Sequence, residues 1–247
     1  LASLEALLHA SKKKTLVTLM HANNEIGNLS DIRAIGHLCK KYDAYFHSDT
    51  VQSLAHYPLQ LPALGVHFIS ASAHKFHGPK GSGLLYIHPD APITPLIYGG
   101  SQERNMRAGT ENVAGIVGFA KAFAISNANQ PEESKYIYSL KKYMKETLEN
   151  TINGIHFHGV QGEDSLYTVL NVGFPVNQRT EMLSIHLDMN GICVSAGSAC
   201  TSGAQGGSHV IKGVYPDANR IPLRFSFSKH NTIEEIDHVV SKISEFL

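Results

Sequence analysis

The chain has 247 residues, 43% of them apolar and 17% charged, and its 21 basic and 21 acidic side chains cancel to a formal net charge of zero. A chain of this length and composition buries a substantial core, as one globular unit or as two small domains. Balanced charge without a Lys/Arg stripe argues against nucleic acid and membrane partners, no apolar run reaches membrane-spanning length, and nothing resembles a secretory signal.

In chain order, LASLEALLHA sets Leu4, Leu7 and Leu8 at helical spacing with no capping turn and no initiating Met ahead of them. That opening reads as an N-terminally incomplete chain that begins inside a larger fold, with these leucines short of packing partners. The lysines at 12–14 read as a solvated helix end, and TLVTLM (15–20) as a short buried strand. Ile32, Ile35 and Leu38 predict a helix running from Ser30, as N-cap, to Tyr42. AYFHSD (44–49), VHFISAS (66–72) and GLLYIH (83–88) read as further strands. GPKGSG (78–83) lacks the spacing of a phosphate-cradling loop and leads into a strand, so it is a turn. A helix near 111–128 sets Val113, Ile116, Val117, Ala120 and Phe123 on one face. Strands separated by helices of this length predict an α/β fold with a mainly parallel sheet.

The polar tract NANQPEES (127–134) marks a boundary between a large domain, 1–130, and a smaller α+β domain, 131–247. The second domain is read as a helix at 135–152, the strand YTVLNVGF (167–174), a helix at 179–189, the strand GICVSA and the strand IPLRFSFS. A last helix opens on the capping box Thr232 to Glu235 and turns Ile236, Val239, Val240, Ile243 and Phe246 inward.

Polar residues gather where strands of the first half end, the place where ligands sit in open parallel sheets. Asn23, Asn24 and Glu25 follow the first strand, Asp49 and Gln52 the second, and Ser72, His74 and Lys75 the third. Taken singly, these are a turn for Asn24, a helix cap for Asp49, a core histidine for His74 and a snorkelling amine for Lys75. Their convergence on three successive strand ends outweighs those readings. Together they offer an acid for a cationic ring nitrogen, hydroxyl and imidazole for a phosphate, and an amine for a Schiff base, which is the set that pyridoxal phosphate needs.

Three cysteines, an odd number without metal-ligand spacing, suit a reducing compartment, with the cytosol as default. Cys39 and Cys193 sit in apolar-periodic segments and read as structural, whereas Cys200 lies in a run of small residues, GSACTSGAQGG, that offers little bulk to bury it. A cysteine so presented can travel to a substrate, or it is a surface-loop residue. Arg224 interrupts an apolar strand, either as a clamp for a carboxylate or as half of a buried ion pair.

MHANNEIG, HSDTVQS, SASAHKFHGPKGSGLLYI, RNMRAGTEN, SAGSACTSG, SHVI and LRFSFSKHNTIEEID, in this order over nearly the whole chain, resemble the cysteine desulfurases. These are class V aminotransferase-like, fold-type-I enzymes that depend on pyridoxal 5'-phosphate. The resemblance implies a large domain with a mainly parallel sheet and a smaller α+β domain, in a cytoplasmic homodimer. It implies that Lys75 holds the cofactor covalently and moves the Cα proton, and that Asp49 pairs with the ring nitrogen. Asn24 and Gln52 would bond the phenolic oxygen, Ser72 and His74 the phosphate, and Thr110 the phosphate of the neighbouring subunit. Arg224 would clamp the carboxylate of L-cysteine. Cys200 would take the sulfur as a persulfide, releasing alanine, and pass it to an acceptor or iron–sulfur scaffold protein. Three alternatives stand beside this: a related class V aminotransferase, a selenocysteine or cysteine-sulfinate lyase, and a non-catalytic fragment that keeps the fold and the dimer surface. Cys200 separates the first, since a transaminase needs no such thiol.

Overall fold

The structure is a computed structural model that describes residues 1–196, 208–217 and 219–247. The chain divides into two compact units, one of residues 1–22 and 30–130, the other of residues 23–29 and 131–247.

The first unit opens with helix α1 (Ala2–Ala10), strand β1 (Leu16–Met20), helix α2 (Ile32–Lys41) and strand β2 (Tyr45–Asp49). The short helix α3 (Leu61–Leu64), strand β3 (Phe68–Ser72) and strand β4 (Gly83–Ile87) follow. The sheet runs β1-β2-β3-β4, parallel across its first two ladders and antiparallel across the third. This is the mainly parallel sheet that the alternation of strands and helices predicts. Phe46 and Ser48 of β2, and Ile69 and Ala71 of β3, alternate inward with the period-two pattern of half-buried strands. Beneath the sheet, Phe46 and Ile69 meet Leu8, Val17, Ile32, Ile35, Cys39 and Leu64 in one core. Leu8 and Leu4 therefore have partners in this core, contrary to the sequence expectation, while Leu7 is exposed. Burial pushes the Cys39 thiol up to about 11, in keeping with a structural role.

The α2 cap is Asp31 and not Ser30: the Asp31 carboxylate accepts from Ala34 N at 2.9 Å, while the Ser30 backbone N–H donates to His21 O. Gly36 lies where α2 crosses the end of α3, and a Cβ there would strike the Leu64 carbonyl.

Helix α4 runs unbroken from Val113 to Thr151, where the sequence predicts two helices parted by a polar loop. Pro131 removes a single N–H and the tract around it carries no glycine, so the exposed backbone stays helical. Of the face predicted for its first half, Phe123 turns inward but the valines and Ile116 do not. Phe119, Ala122, Phe123 and Ser126 turn inward, whereas Val113, Ile116 and Val117 are exposed.

The second unit builds an antiparallel sheet from β5 (His156–His158), β6 (Val169–Pro175) and β7 (Arg220–Ser226), in the order β5-β6-β7. Every residue of β6 from Val169 to Phe174 is buried, as suits a central strand. Helices α5 (Gln178–Met189), α6 (His209–Val214) and α7 (Ile233–Phe246) complete it. The predicted Thr232–Glu235 capping box opens α7, and Ile236, Val240 and Ile243 are its buried stripe. GICVSA does not form a strand. Among the described residues its one ladder contact is the isolated bridge of Ser195 to Arg224, and Cys193 is exposed instead of structural. The stretch 197–207, which includes Cys200, lies outside the described residues.

Lys141, on α4, is a buried amine that donates to Ser165 Oγ at 2.8 Å and Leu166 O at 2.9 Å. Burial lowers its pKa from 10.5 to about 8. The unfolded chain therefore holds a proton that the folded chain has released between about pH 8 and pH 10.5, so stability gains from this group as pH rises through that window. Lys141→Met is expected to remove that rise, and the difference between wild-type and variant urea-unfolding free energies, followed from pH 7 to pH 10.5, measures it. Parallel profiles would refute the assignment.

Candidate functional site

In the first unit, β2 ends at Asp49 and β3 at Ser72, on neighbouring parallel strands in register from His47–Phe68 to Asp49–Ser70. Asp49 is half-buried and its Oδ1 accepts from Val51 N at 2.9 Å. Behind it, Thr50 is wholly buried and ties the two strand ends together through its N–H and Oγ1, which both donate to Ser70 O. Ser53, also wholly buried, bonds His21 Nδ1 at 2.9 Å. Gln52 is half-buried on the same turn.

After Ser72 the chain makes a single 3-10 turn, residues Ala73–Phe76, closed by His77 in the left-handed region at φ 65°. Three residues apart, Ala73 and Phe76 face the same way and are both buried, with Phe76 edge-on to Phe119 and Phe123. Burying these two turns the residues between them outward: His74 is exposed and Lys75 half-buried. Ser72 Oγ and His74 Nδ1 lie 2.8 Å apart, so a hydroxyl and an imidazole are paired at the strand end beside the lysine. Thr110 is exposed in the loop before α4, where Arg107 Nη1 donates to Gly109 O and Gln102 Oε1 accepts from Gly109 N. No hydrogen bond among the described residues joins Thr110 to the strand-end set.

The second unit holds Asn24 and Arg224. Asn23 Oδ1 accepts from Glu25 N and Ile26 N, which shapes residues 23–27 into a tight turn with Asn24 at its corner. Arg224, on β7, donates from Nη1 to Asn24 O at 2.9 Å and from Nη2 to Ser195 Oγ at 3.1 Å. The guanidinium thus meets the Asn24 backbone, not its side chain. Asn171, opposite Arg224 in the β6–β7 register, donates to Glu25 O at 3.1 Å. Glu25 itself is buried and its carboxylate accepts from Ser208 Oγ, the hydroxyl that caps α6. Glu25, Asn171, Ser195 and Ser208 escaped the sequence reading as support for Arg224. The signal for Asn171 was present: it is the single polar side chain in YTVLNVGF that faces the interior of a wholly buried strand.

A lysine on a turn at the carboxyl end of a parallel sheet, an acid ending the adjacent strand and a separate antiparallel unit are the architecture of fold-type-I transferases of the pyridoxal phosphate class. The chain belongs to the aminotransferase class-V family, whose model matches residues 1–239. It is 38% identical over 244 residues to the cysteine desulfurase IscS of Dictyoglomus turgidum, covering 98% of this chain and 61% of that protein. It is 40% identical over 249 residues to the cysteine desulfurase IscS of Clostridium botulinum, with 99% and 62% covered. Among solved structures, a NifS-like protein matches with a TM-score of 0.87 at 38% identity, over 99% of this chain and 63% of that one. The NifS-like protein of Rickettsia africae matches with a TM-score of 0.85 at 34% identity, over 99% and 65%. The chain therefore spans less than two thirds of the length of these relatives.

Arg224→Leu removes two charge-assisted donors from Asn24 O and Ser195 Oγ and is expected to lower unfolding stability by about 1.5–3 kcal/mol. Arg224→Lys, which cannot fork to both acceptors, recovers only part of that loss. Denaturant titration of the three proteins checks the order, and an Arg224→Leu protein as stable as wild type would contradict it.

Proposed function

We propose that this chain carries the cofactor-binding and sulfur-handling residues of a pyridoxal-phosphate-dependent cysteine desulfurase, which takes sulfur from L-cysteine and releases L-alanine. The observation that carries the reading is Lys75, turned outward on the one-turn helix after β3, with the Ser72–His74 pair beside it. The names of the relatives, cysteine desulfurases over nearly the whole chain, support the substrate.

The residues present fit pyridoxal phosphate by their chemistry. Asp49 is an acid for the protonated ring nitrogen. Ser72 and His74 are donors for the phosphate, Lys75 is an amine for the aldehyde, and Asn24 and Gln52 are amides for the phenolic oxygen. Thr110 is exposed, as a residue reaching a neighbouring subunit's phosphate must be. When bound, the cofactor supplies an electron sink for bonds at the substrate Cα.

The chain's own groups do the rest. Arg224 holds the substrate carboxylate with a charged planar fork, a task for which its place in a strand gives it a fixed direction. Lys75 moves the proton at Cα. Cys200, as thiolate, attacks the substrate sulfur: an S–S bond forms, the C–S bond breaks, and its electron pair stays on carbon, which is protonated to give alanine. A persulfide remains on Cys200 and passes to an acceptor protein, an iron–sulfur scaffold among the candidates by chemistry. A homodimer is supported by large apolar side chains left exposed on the first unit, at Leu96, Ile97, Tyr98, Val113 and Val117.

Two variants test the reading. Lys75→Ala is expected to abolish borohydride-fixed attachment of the cofactor, read as the mass of the peptide that spans residue 75. Cys200→Ser should keep that attachment yet stop alanine release and the cysteine-dependent mass gain of one sulfur at residue 200, since a hydroxyl is a far poorer nucleophile toward sulfur. Undiminished alanine from the serine variant would sink the desulfurase reading.

A further inference from the structure

We infer that His56 is a positioning residue for Lys75, an inference that rests on the cofactor-holding role proposed for that lysine. His56 lies on the turn after β2, distant in sequence from the 73–76 turn, and its Nε2 is 3.0 Å from the Lys75 carbonyl oxygen. A carbonyl only accepts, so Nε2 carries the proton in this contact, as it does in the imidazolium and in one neutral tautomer.

The approach is built from both sides. Ala55, immediately before His56, is buried and sits in the left-handed region at φ 66°, a conformation that L residues other than Gly, Asn and Asp seldom adopt. Its methyl group joins Ala73 and Phe76 in the cluster under the lysine turn, which accounts for alanine there in place of glycine. On the far side of the imidazole's own backbone, Gln130 Nε2 donates to His56 O at 3.0 Å, and His56 N donates to Ser53 O at 3.0 Å. The lysine turn ends in a second left-handed residue, His77 at φ 65°. Local strain of this kind persists where the surroundings over-determine the backbone, and it gathers at functional sites.

Three carbonyls of the lysine turn have three separate donors. Gly78 N–H bonds Ala73 O, Ser126 Oγ bonds Phe76 O, and His56 bonds Lys75 O. The bonds at Ala73 and Phe76 hold the buried residues down. The His56 bond fixes the peptide plane that leaves the Lys75 Cα, and so the direction in which the lysine stem departs. A long flexible side chain reacts at a defined place only when its root is fixed, and displacement of about 1 Å can cost a reaction roughly a hundredfold.

The test compares His56→Leu, which has no donor, with His56→Gln, whose carboxamide keeps an N–H at similar reach. The intact chain is mixed with pyridoxal 5'-phosphate and quenched with borohydride at intervals, and the rate of labelling at Lys75 is read by peptide mass. Amide hydrogen exchange across residues 73–78 and the thermal unfolding midpoint are measured on the same proteins. The leucine variant is expected to label Lys75 about 10- to 100-fold more slowly and to exchange faster across 73–78. The glutamine variant should return to within about twofold of wild type, a rescue that a bulk packing role would not give. Wild-type labelling and exchange in the leucine variant would overturn the role of His56 and leave the role of Lys75 standing. Absence of label on wild-type Lys75 would overturn both. Should the leucine variant fail to fold, nitrogen NMR of wild-type His56 decides: a protected Nε2–H supports the inference, and an Nδ1-protonated tautomer with an exposed Nε2 overturns it.

Discussion

Burial of Phe76 governs the geometry around Lys75. A phenylalanine that follows a strand end by four residues has to find apolar cover, and here the cover is the ring pair Phe119 and Phe123 with Ala55 and Ala73. A 3-10 turn is the local structure that aligns residues 73 and 76 on one side. Once both are committed to the interior, residues 74 and 75 have no choice of side. The position of a hydrophobic ring therefore decides where an amine and an imidazole stand, and side-chain propensity has little part in it. The inward face of α4 is set by the same requirement, since Phe119 and Phe123 turn to meet Phe76 and leave Val113 and Val117 outside.

The second unit solves a different problem, that of a charged side chain in an apolar strand. Arg224 lies between Leu223 and Phe225, both buried, and a guanidinium there needs acceptors that do not themselves carry the cost of burial. Backbone carbonyls and hydroxyls serve, and they come from Asn24 and Ser195. The turn at 23–27 can supply a carbonyl because Asn23 satisfies its N–H groups internally, and Asn171 and Ser208 hold Glu25 from the other side. Arg224 is thereby held in a fixed direction by Asn24 O and Ser195 Oγ.

Most strands were legible in the sequence because their alternation is short-range, whereas the three-residue β5 was not read at all. FISAS and YFHSD announce period two within five residues, and the Thr232–Glu235 box announces a helix start within four. The placement of Asp49, Ser72 and Lys75 at strand ends followed from the same local signals. What stayed hidden depended on partners far along the chain. Residues 113–123 carry enough apolar side chains to supply two candidate faces, and only the position of Phe76 selects between them. GICVSA reads as a strand by composition, but pairing belongs to two segments, and among the described residues Ser195 alone of this stretch forms a bridge to a neighbour. Continuity of α4 through Pro131 was obscured by a polar tract that is also good helix sequence. Nothing within HYP marks His56 as bound to a carbonyl nineteen residues away.

Two lysines show why the proposed site rests on geometry and not on titration. Lys141 is buried and shifted to about 8, and by that criterion alone it would be a candidate for amine chemistry. Yet its amine is occupied by Ser165 Oγ and Leu166 O, and burial closes it to any ligand. What it does is tie α4 to the loop before β6, whose Leu166 N in turn bonds Gly27 O and so braces the turn that presents Asn24. Lys75 stands at a sheet end, half-exposed, beside a hydroxyl and an imidazole, with its backbone held by a third group. A reactive amine needs access and a fixed root before it needs a lowered pKa, because the aldehyde of a cofactor must first reach it.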